Sequence, residues 1–597
     1  MKSRLRTRVV LIWVMCLAVQ GFSRAASYYV DATEGSDTNM GNSPTAPWRS
    51  MARVNAHVFH PGDSILFKRG RIWREQLIIS SSGREGDPIL YGAYGTSEAK
   101  PIINGADLFN HDHWDAEGQN VWSKPNHISF SPEIAGSETA QNRFVVTIDG
   151  QRFLPVEGVQ ALREQTYTYH AESDRLFVYL TSDPDGHQTE SAARCRSIDM
   201  RGVSHVVVRD LEVMNSVCNN IFLHGCKSIV ITQITSHHAG LRGVLIEGDI
   251  PLENPEGWAE HITIEESFFY DHGIRCDTAA MDIGIDSSAR YVTVRKCRLL
   301  GDGKNWGVDG IQMVASSHGA GHLIEENRIC DHCENEIDVK GHFLDTVGGP
   351  RTVIKNNVLA GSGEAVVILH FGARRIDILK NVICFGRYHG LSLYNNVNES
   401  PYDGLEGDIT IAYNIIRDNA YHGIMDGGFG TAKTAGHNRI YHNAVVRNGR
   451  YCDCRGITFE SSNWEIWNNI VWNNFDGSIE HQLMPVGMES HRGLVMGHNL
   501  IGIDPLFVDP HRNDFHLRAD SPAIDAGADL GYMHDIDGDV VPYGEAPDIG
   551  VDEYTPGGPA VRANPFVMTG GKLNGGTKVM KPRYRAERDD AWYVSRR

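Results

Sequence analysis

The sequence predicts an all-β fold, a right-handed parallel β-helix solenoid with a small inserted β subdomain, and three observations carry that expectation. Between residues 200 and 500 one short phrase returns, with the period of about 20 to 35 residues that marks a solenoid. Each return sets apolar residues on either side of one unconstrained position, as in "RGVLIEGDI", "MDIGIDSSARYVTV", "NEIDVKGH" and "RGITFESSNWEIWNN". Most returns lead to an Asn ahead of an apolar pair: Asn357, Asn381, Asn414, Asn443 and Asn469.

Stacking explains each part of the phrase. Coils that lie strand on strand need an apolar residue at every inward position and leave the outward ones free. Three short strands and their turns fill one period. Asn at a sharp bend tolerates unusual backbone angles, and its amide can bond the same Asn one coil on, an internal ladder. A leucine-rich solenoid would need a Leu consensus and helical segments that are not in the sequence.

The remaining segments fall around this array. Residues 1–26 have a basic head, an apolar run from Val9 to Val19 and small residues at Ala25 and Ala26, the pattern of a cleaved secretory signal that places the chain outside the cytoplasm, secreted or periplasmic. Residues 27–105 read as an N-terminal cap with the first coils. Residues 106–195 lose the phrase and read as hairpins of an inserted β subdomain. The catalytic solenoid is expected over 196–500, a closing segment that covers its last coil over 501–554, and a flexible tail over 555–597.

The formal net charge of −19, more acidic still without the Arg/Lys-rich leader, would repel nucleic acid and any polyanion not bound through a cation. No later segment resembles a membrane span. A monomer acting on a polysaccharide is expected. Of the cysteines, Cys330 and Cys333 in "CDHC" have half of a zinc motif, but no second pair follows at the spacing a finger needs, so ladder or paired cysteines are expected.

The opening "YYVDATEGSDTN", "PWRSMARVN" and "PGDSILFKRG", the Asn-ladder coils and the closing "SPAIDAG", "DIDGD" and "PDIGVDEY" resemble secreted bacterial parallel β-helix proteins of the pectate-lyase-like superfamily, closest in style to the family 9 polysaccharide lyases. The resemblance covers nearly all of the chain after the leader. It implies a substrate lying along the outer face of one parallel sheet. It also implies Ca²⁺ held by an Asp cluster and a Lys acting as base.

Alternation places Asp282, Asp286, Gln312, Glu336, Asp338 and Lys340 outward on neighbouring coils, together with Val367 and Leu369 of the next. Coils about 4.8 Å apart would gather the polar residues into one patch. Clustered carboxylates with an amide oxygen suit a hard cation, so Asp282, Asp286, Asp309 and Gln312 are the expected calcium ligands. Lys340, Asp338 and Asp309 are the expected catalytic residues, and Glu336, His389, Tyr394, His370 and Trp306 the expected substrate contacts. The reading is a polysaccharide lyase that removes a C5 proton from a uronate, with Lys340 as base. The match to the family's motif is incomplete: Val308 and Gln312 stand where further acids are expected, and Asp338 occupies the natural slot of the base. That departure suits the alternative, a glycoside hydrolase with two carboxylates on adjacent coils. A second alternative is a non-catalytic glycan-binding β-helix.

Overall fold

The computed structural model describes residues 25–109, 113–125, 145–170, 172–249, 255–273, 280–303, 307–315, 321–341, 350–370, 372–394, 407–427, 437–450 and 454–556. Most of the leader and of the tail read from the sequence lie outside them. The chain forms two compact units, one of residues 1–237 and 248–267, the other of residues 238–247 and 268–597. Both contain stacks of short parallel strands.

In the first unit the strands Ser27–Val30, Ser64–Lys68, Ile89–Tyr94, Ser204–Arg209, Lys227–Thr232 and Ala259–Glu265 form one parallel path. A five-residue helix, Met51–Asn55, is capped by the Ser50 side chain, which accepts from the Arg53 N–H. The inserted subdomain is an eight-stranded sheet. Its first and last strands, Ala106–Leu108 and Thr189–Ala192, pair antiparallel with Ala106 opposite Ala192. Phe109, Trp114, Val146, Phe153, Tyr167, Leu176 and Val178 make a core of its own.

The second unit repeats three strands per coil. One sheet runs through Arg242–Glu247, Ala280–Ile285, Val308–Ala315, Ile337–Gly341, Val367–His370, Leu391–Tyr394, Ile424–Asp426, Ile457–Phe459 and Leu483–Pro485. Its register stacks like on like: Ile283, Ile311, Ile337, Val367, Leu391, Ile424 and Ile457 lie one above another, all at most 1% exposed. Continuous apolar columns of this kind hold a parallel solenoid together, because each coil buries its inward face only against its neighbours.

The Asn ladder is present and longer than the repeat suggested. The main-chain N–H groups of Asn327, Asn357, Asn381, Asn414, Asn443 and Asn469 each donate at 2.9 Å to the Oδ1 of the next member, ending on Asn499. Each Nδ2 donates to the same oxygen at 2.9 to 3.1 Å. The backbone strain is not borne where the sequence placed it. The left-handed residue, with φ between 50° and 57°, is the one before each ladder Asn: Glu326, Asn356, Lys380, Tyr413, His442, Asn468 and His498. The Asn is chosen for its amide, which caps both coil neighbours inside the core. A second ladder, Asn419 to Asn448 to Asn474 to Gln482, lines another bend.

The closing segment lies on the end of the array. Phe507, Phe515, Leu517, Ile536, Ile549 and Val551 pack against Ile470 and Leu500 of the last coils. Among the described residues no helix is long and apolar enough to cross a membrane.

Candidate active site

Strand Val308–Ala315 places Gln312 beside Asp338 of strand Ile337–Gly341, and that strand places Lys340 beside His370 of Val367–His370. Three side chains meet on Asp338. His370 Nε2 lies 2.7 Å from its Oδ1, and Lys340 Nζ lies 3.2 Å from its Oδ2. Gln312 Nε2 donates to the same Oδ2 at 3.2 Å and to Asp309 Oδ2 at 2.9 Å. The other Asp309 oxygen accepts from the Asn335 main chain at 3.0 Å and its Nδ2 at 3.1 Å.

The two carboxyls are nearly covered, Asp309 at 1% and Asp338 at 2% exposure, yet their surroundings drive them apart. Burial, then the charge of Asp338, raises Asp309 well above the usual carboxylate range. Burial would raise Asp338 too, but His370 and Lys340 outweigh it and hold Asp338 below its ordinary value. The surroundings thus push Asp309 toward the acid and Asp338 toward the anion. The Asp309 and Asp338 oxygens share one Gln312 nitrogen, so they are no more than about 6 Å apart, below the separation at which a water fits between two carboxyls.

Beneath this face lies a second group, wholly buried. His332 Nδ1 lies 2.5 Å from Glu336 Oε2, and its Nε2 lies 3.1 Å from Asp282 Oδ2. The other oxygen of Asp282 lies 2.6 Å from His272 Nδ1. Burial opposes the charge on His332, but Glu336 and Asp282 outweigh it and push the imidazole up to about 10. Burial lifts Glu336 to about 6 against the pull of His332. Gly310 makes room for this stack: a Cβ there would sit 2.6 Å from the Glu336 carbonyl and 3.2 Å from the His332 ring.

No protein-family model matches the chain. It is similar to lacto-N-biosidase of Bifidobacterium longum subsp. longum, 23% identical over 356 residues that make up 56% of this chain and 20% of that protein. The chain therefore spans about a fifth of the length of the curated relative it matches. Its structure is similar to that of XylC with xylose, at a TM-score of 0.53 and 14% identity over 79% of this chain and 83% of that one. A pectate lyase, Pel9A, aligns over 90% of this chain and 98% of its own at 13% identity, with a TM-score of 0.36. The fold is a parallel β-helix.

On the β-helix face the structure gathers Asp309, Gln312, Asp338, Lys340 and His370 into one linked group. Tyr394, half-buried, stands beside His370 in the register. Glu336 is not on that face: it is fully buried and bonded to His332. It precedes the strand, and the turn there rotates it inward over Gly310. Asp282, 1% exposed, is likewise spent on two imidazoles. Asp286 accepts from the Ser287 hydroxyl at 3.0 Å and serves its own turn.

Of the four residues named for calcium, Asp309 and Gln312 bond each other, while Asp282 and Asp286 are engaged elsewhere. Among the described residues, the three His, Cys, Asp or Glu side chains whose ligand atoms fall within 4.8 Å of one another are His516, Asp537 and Asp552. Val367 and Leu369 face the core, leaving Ile368 and His370 outward, the reverse of the expected parity. His389 lies farther along, stacked on His422 with ring centres 5.3 Å apart, and burial drives it down to about 3. Trp306 lies outside the described residues. Cys330 is a half-buried free thiol packed against the core cluster that includes Cys384. Sequence reasoning missed Asn335, which fixes Asp309, and His332, which sits between the two cysteines that had drawn attention to "CDHC".

Proposed function

We propose that the chain is a carbohydrate-active enzyme that hydrolyses a glycosidic bond with retention, Asp338 serving as nucleophile and Asp309 as the acid that protonates the leaving oxygen. The observation that carries this reading is a pair of carboxyls bonded to one amide nitrogen, one pushed toward the acid and the other toward the anion, too close for a water to fit between them as inversion requires. His370 and Lys340 keep Asp338 ionised, and Asn335 orients Asp309. The reacting sugar enters where Gln312 and Lys340 now stand over the pair, and its hydroxyls take over their hydrogen bonds. The likeness in sequence to lacto-N-biosidase supports a hydrolase.

Elimination from a uronate, the other chemistry the sequence allows, asks Lys340 to act as a base while it is ion-paired with Asp338 at 3.2 Å; hydrolysis asks no proton transfer of Lys340. The test is a panel of neutral and uronate-containing glycans with Asp309→Asn and Asp338→Asn. Both variants are expected to lose about 10²- to 10⁴-fold on natural glycans. Asp309→Asn should lose far less on aryl glycosides, whose leaving group needs no proton. Products bearing an unsaturated uronate, or an Asp338→Asn enzyme at wild-type rate, would overturn the proposal.

A further inference from the structure

The closing segment has a constellation that the proposed chemistry does not use. His516, on strand Asp514–Leu517, meets Asp537 of the "DIDGD" loop and Asp552 of "GVDEY"; one ligand atom of each falls within 4.8 Å of the others. His516 Nε2 lies 3.1 Å from Asp537 Oδ2. Ligands bonded to one tetrahedral metal at about 2.0 Å stand about 3.3 Å apart, so this edge already has the right length.

Two further observations point to a cation. Asp514 Oδ1 lies 2.6 Å from His516 Nδ1, the carboxylate–imidazole tie that fixes a metal-binding histidine's tautomer and leaves its Nε2 lone pair free to coordinate. Asp552 is 6% exposed, and among the described residues the one donor to its carboxylate is the Leu517 N–H, on Oδ2 at 2.7 Å. Asp535, fully buried, adds another acid close by, with its oxygens held by the main chains of Asp537, Asp539 and Glu553. The nearby Lys380 ammonium is spent on the Asp535 carbonyl and not on a carboxylate.

We propose that His516, Asp537 and Asp552 bind one divalent transition-metal ion of the zinc type, completed by water, which staples strand Asp514–Leu517 to the 535–539 loop and the 550–553 segment. One imidazole with two carboxylates suits zinc better than calcium, which prefers oxygen ligands alone. The ion supplies positive charge among the surrounding carboxyls.

The test uses the full chain after chelation, titrated separately with Zn²⁺, Mn²⁺ and Ca²⁺ by calorimetry and by thermal unfolding. One equivalent of Zn²⁺ is expected, with a rise in the unfolding midpoint. His516→Ala and Asp552→Asn should abolish both. Asp514→Asn, which leaves the three ligands in place, should weaken binding about 10- to 100-fold and keeps the test decisive should His516→Ala fail to fold. Absence of a stoichiometric site, binding unchanged in all three variants, or a preference for Ca²⁺ would overturn the proposal. The readout does not depend on activity, so it stands or falls apart from the hydrolase reading.

Discussion

Replacing Asn381 by Ala removes one rung from the middle of the ladder, and its cost can be worked from the bonds it makes. Its Oδ1 accepts from the Asn357 main chain and side chain, both at 2.9 Å, and its Nδ2 donates to the Ile354 carbonyl at 2.9 Å and to Asn414 Oδ1 at 3.0 Å. Asn357 Nδ2 keeps its bond to the Ile324 carbonyl, and Asn414 Oδ1 keeps the Asn381 main-chain N–H. The Asn357 main-chain N–H loses its partner inside the core, at about 1–3 kcal/mol, and the three remaining lost bonds add about 0.5–1.5 kcal/mol each. With some relaxation, a loss of about 3–5 kcal/mol is expected, a large share of a typical folding stability.

Urea unfolding followed by far-ultraviolet circular dichroism measures the loss. The ladder also predicts a pattern. Asn381→Ala combined with Asn414→Ala should cost less than the two singly, because they share bonds, whereas Asn381→Ala with Asn469→Ala should add. A single-variant loss below about 1 kcal/mol, or additivity between adjacent rungs, would refute the reasoning that the ladder amides hold the coils.

Two other outcomes follow from the buried charges. His332 is pushed from 6.5 to about 10, so the folded chain holds this proton more tightly than the unfolded one. The stabilisation is complete below pH 6.5 and is lost as the pH rises through 10; His332→Gln should flatten the wild-type decline in that window, read by denaturant midpoints at each pH. Lys340→Met removes a partner that holds Asp338 down, so the acid limb of the pH–rate profile should move to higher pH, and an unmoved limb would show that Lys340 does not tune the nucleophile.

Much of this architecture was legible in the sequence because a solenoid repeats its constraints. The inward column through Ile337 and the rungs at Asn357, Asn381, Asn414, Asn443 and Asn469 recur at matching positions, and "IDVKG" alternates cleanly enough to send Asp338 and Lys340 outward. The neighbouring "AVVILH" was not legible: an unbroken apolar run has no parity, so Val367 and Leu369 were placed on the wrong face. Glu336 and Asp282 share the alternation of their neighbours but are drawn inward by His332 and His272, a preference invisible until coils distant in sequence are stacked. The strained residue before each rung, from Glu326 to His498, shows no common side chain and so leaves no mark in the repeat. The His516 constellation joins three segments of the closing region, each of which alone looks like a polar turn.

The inserted sheet departs from the array and returns to it through one doorway. Ala106 and Ala192 face each other across an antiparallel pair, and the Ala193 and Arg194 N–H groups both donate to the Gly105 carbonyl, at 3.0 and 3.1 Å. Chain ends held side by side can be bridged by a turn of a few residues or by a wholly different module without altering the spacing of the coils on either side. The subdomain is thus a cassette: evolution, or an engineer, can exchange it while the rungs around it keep their register.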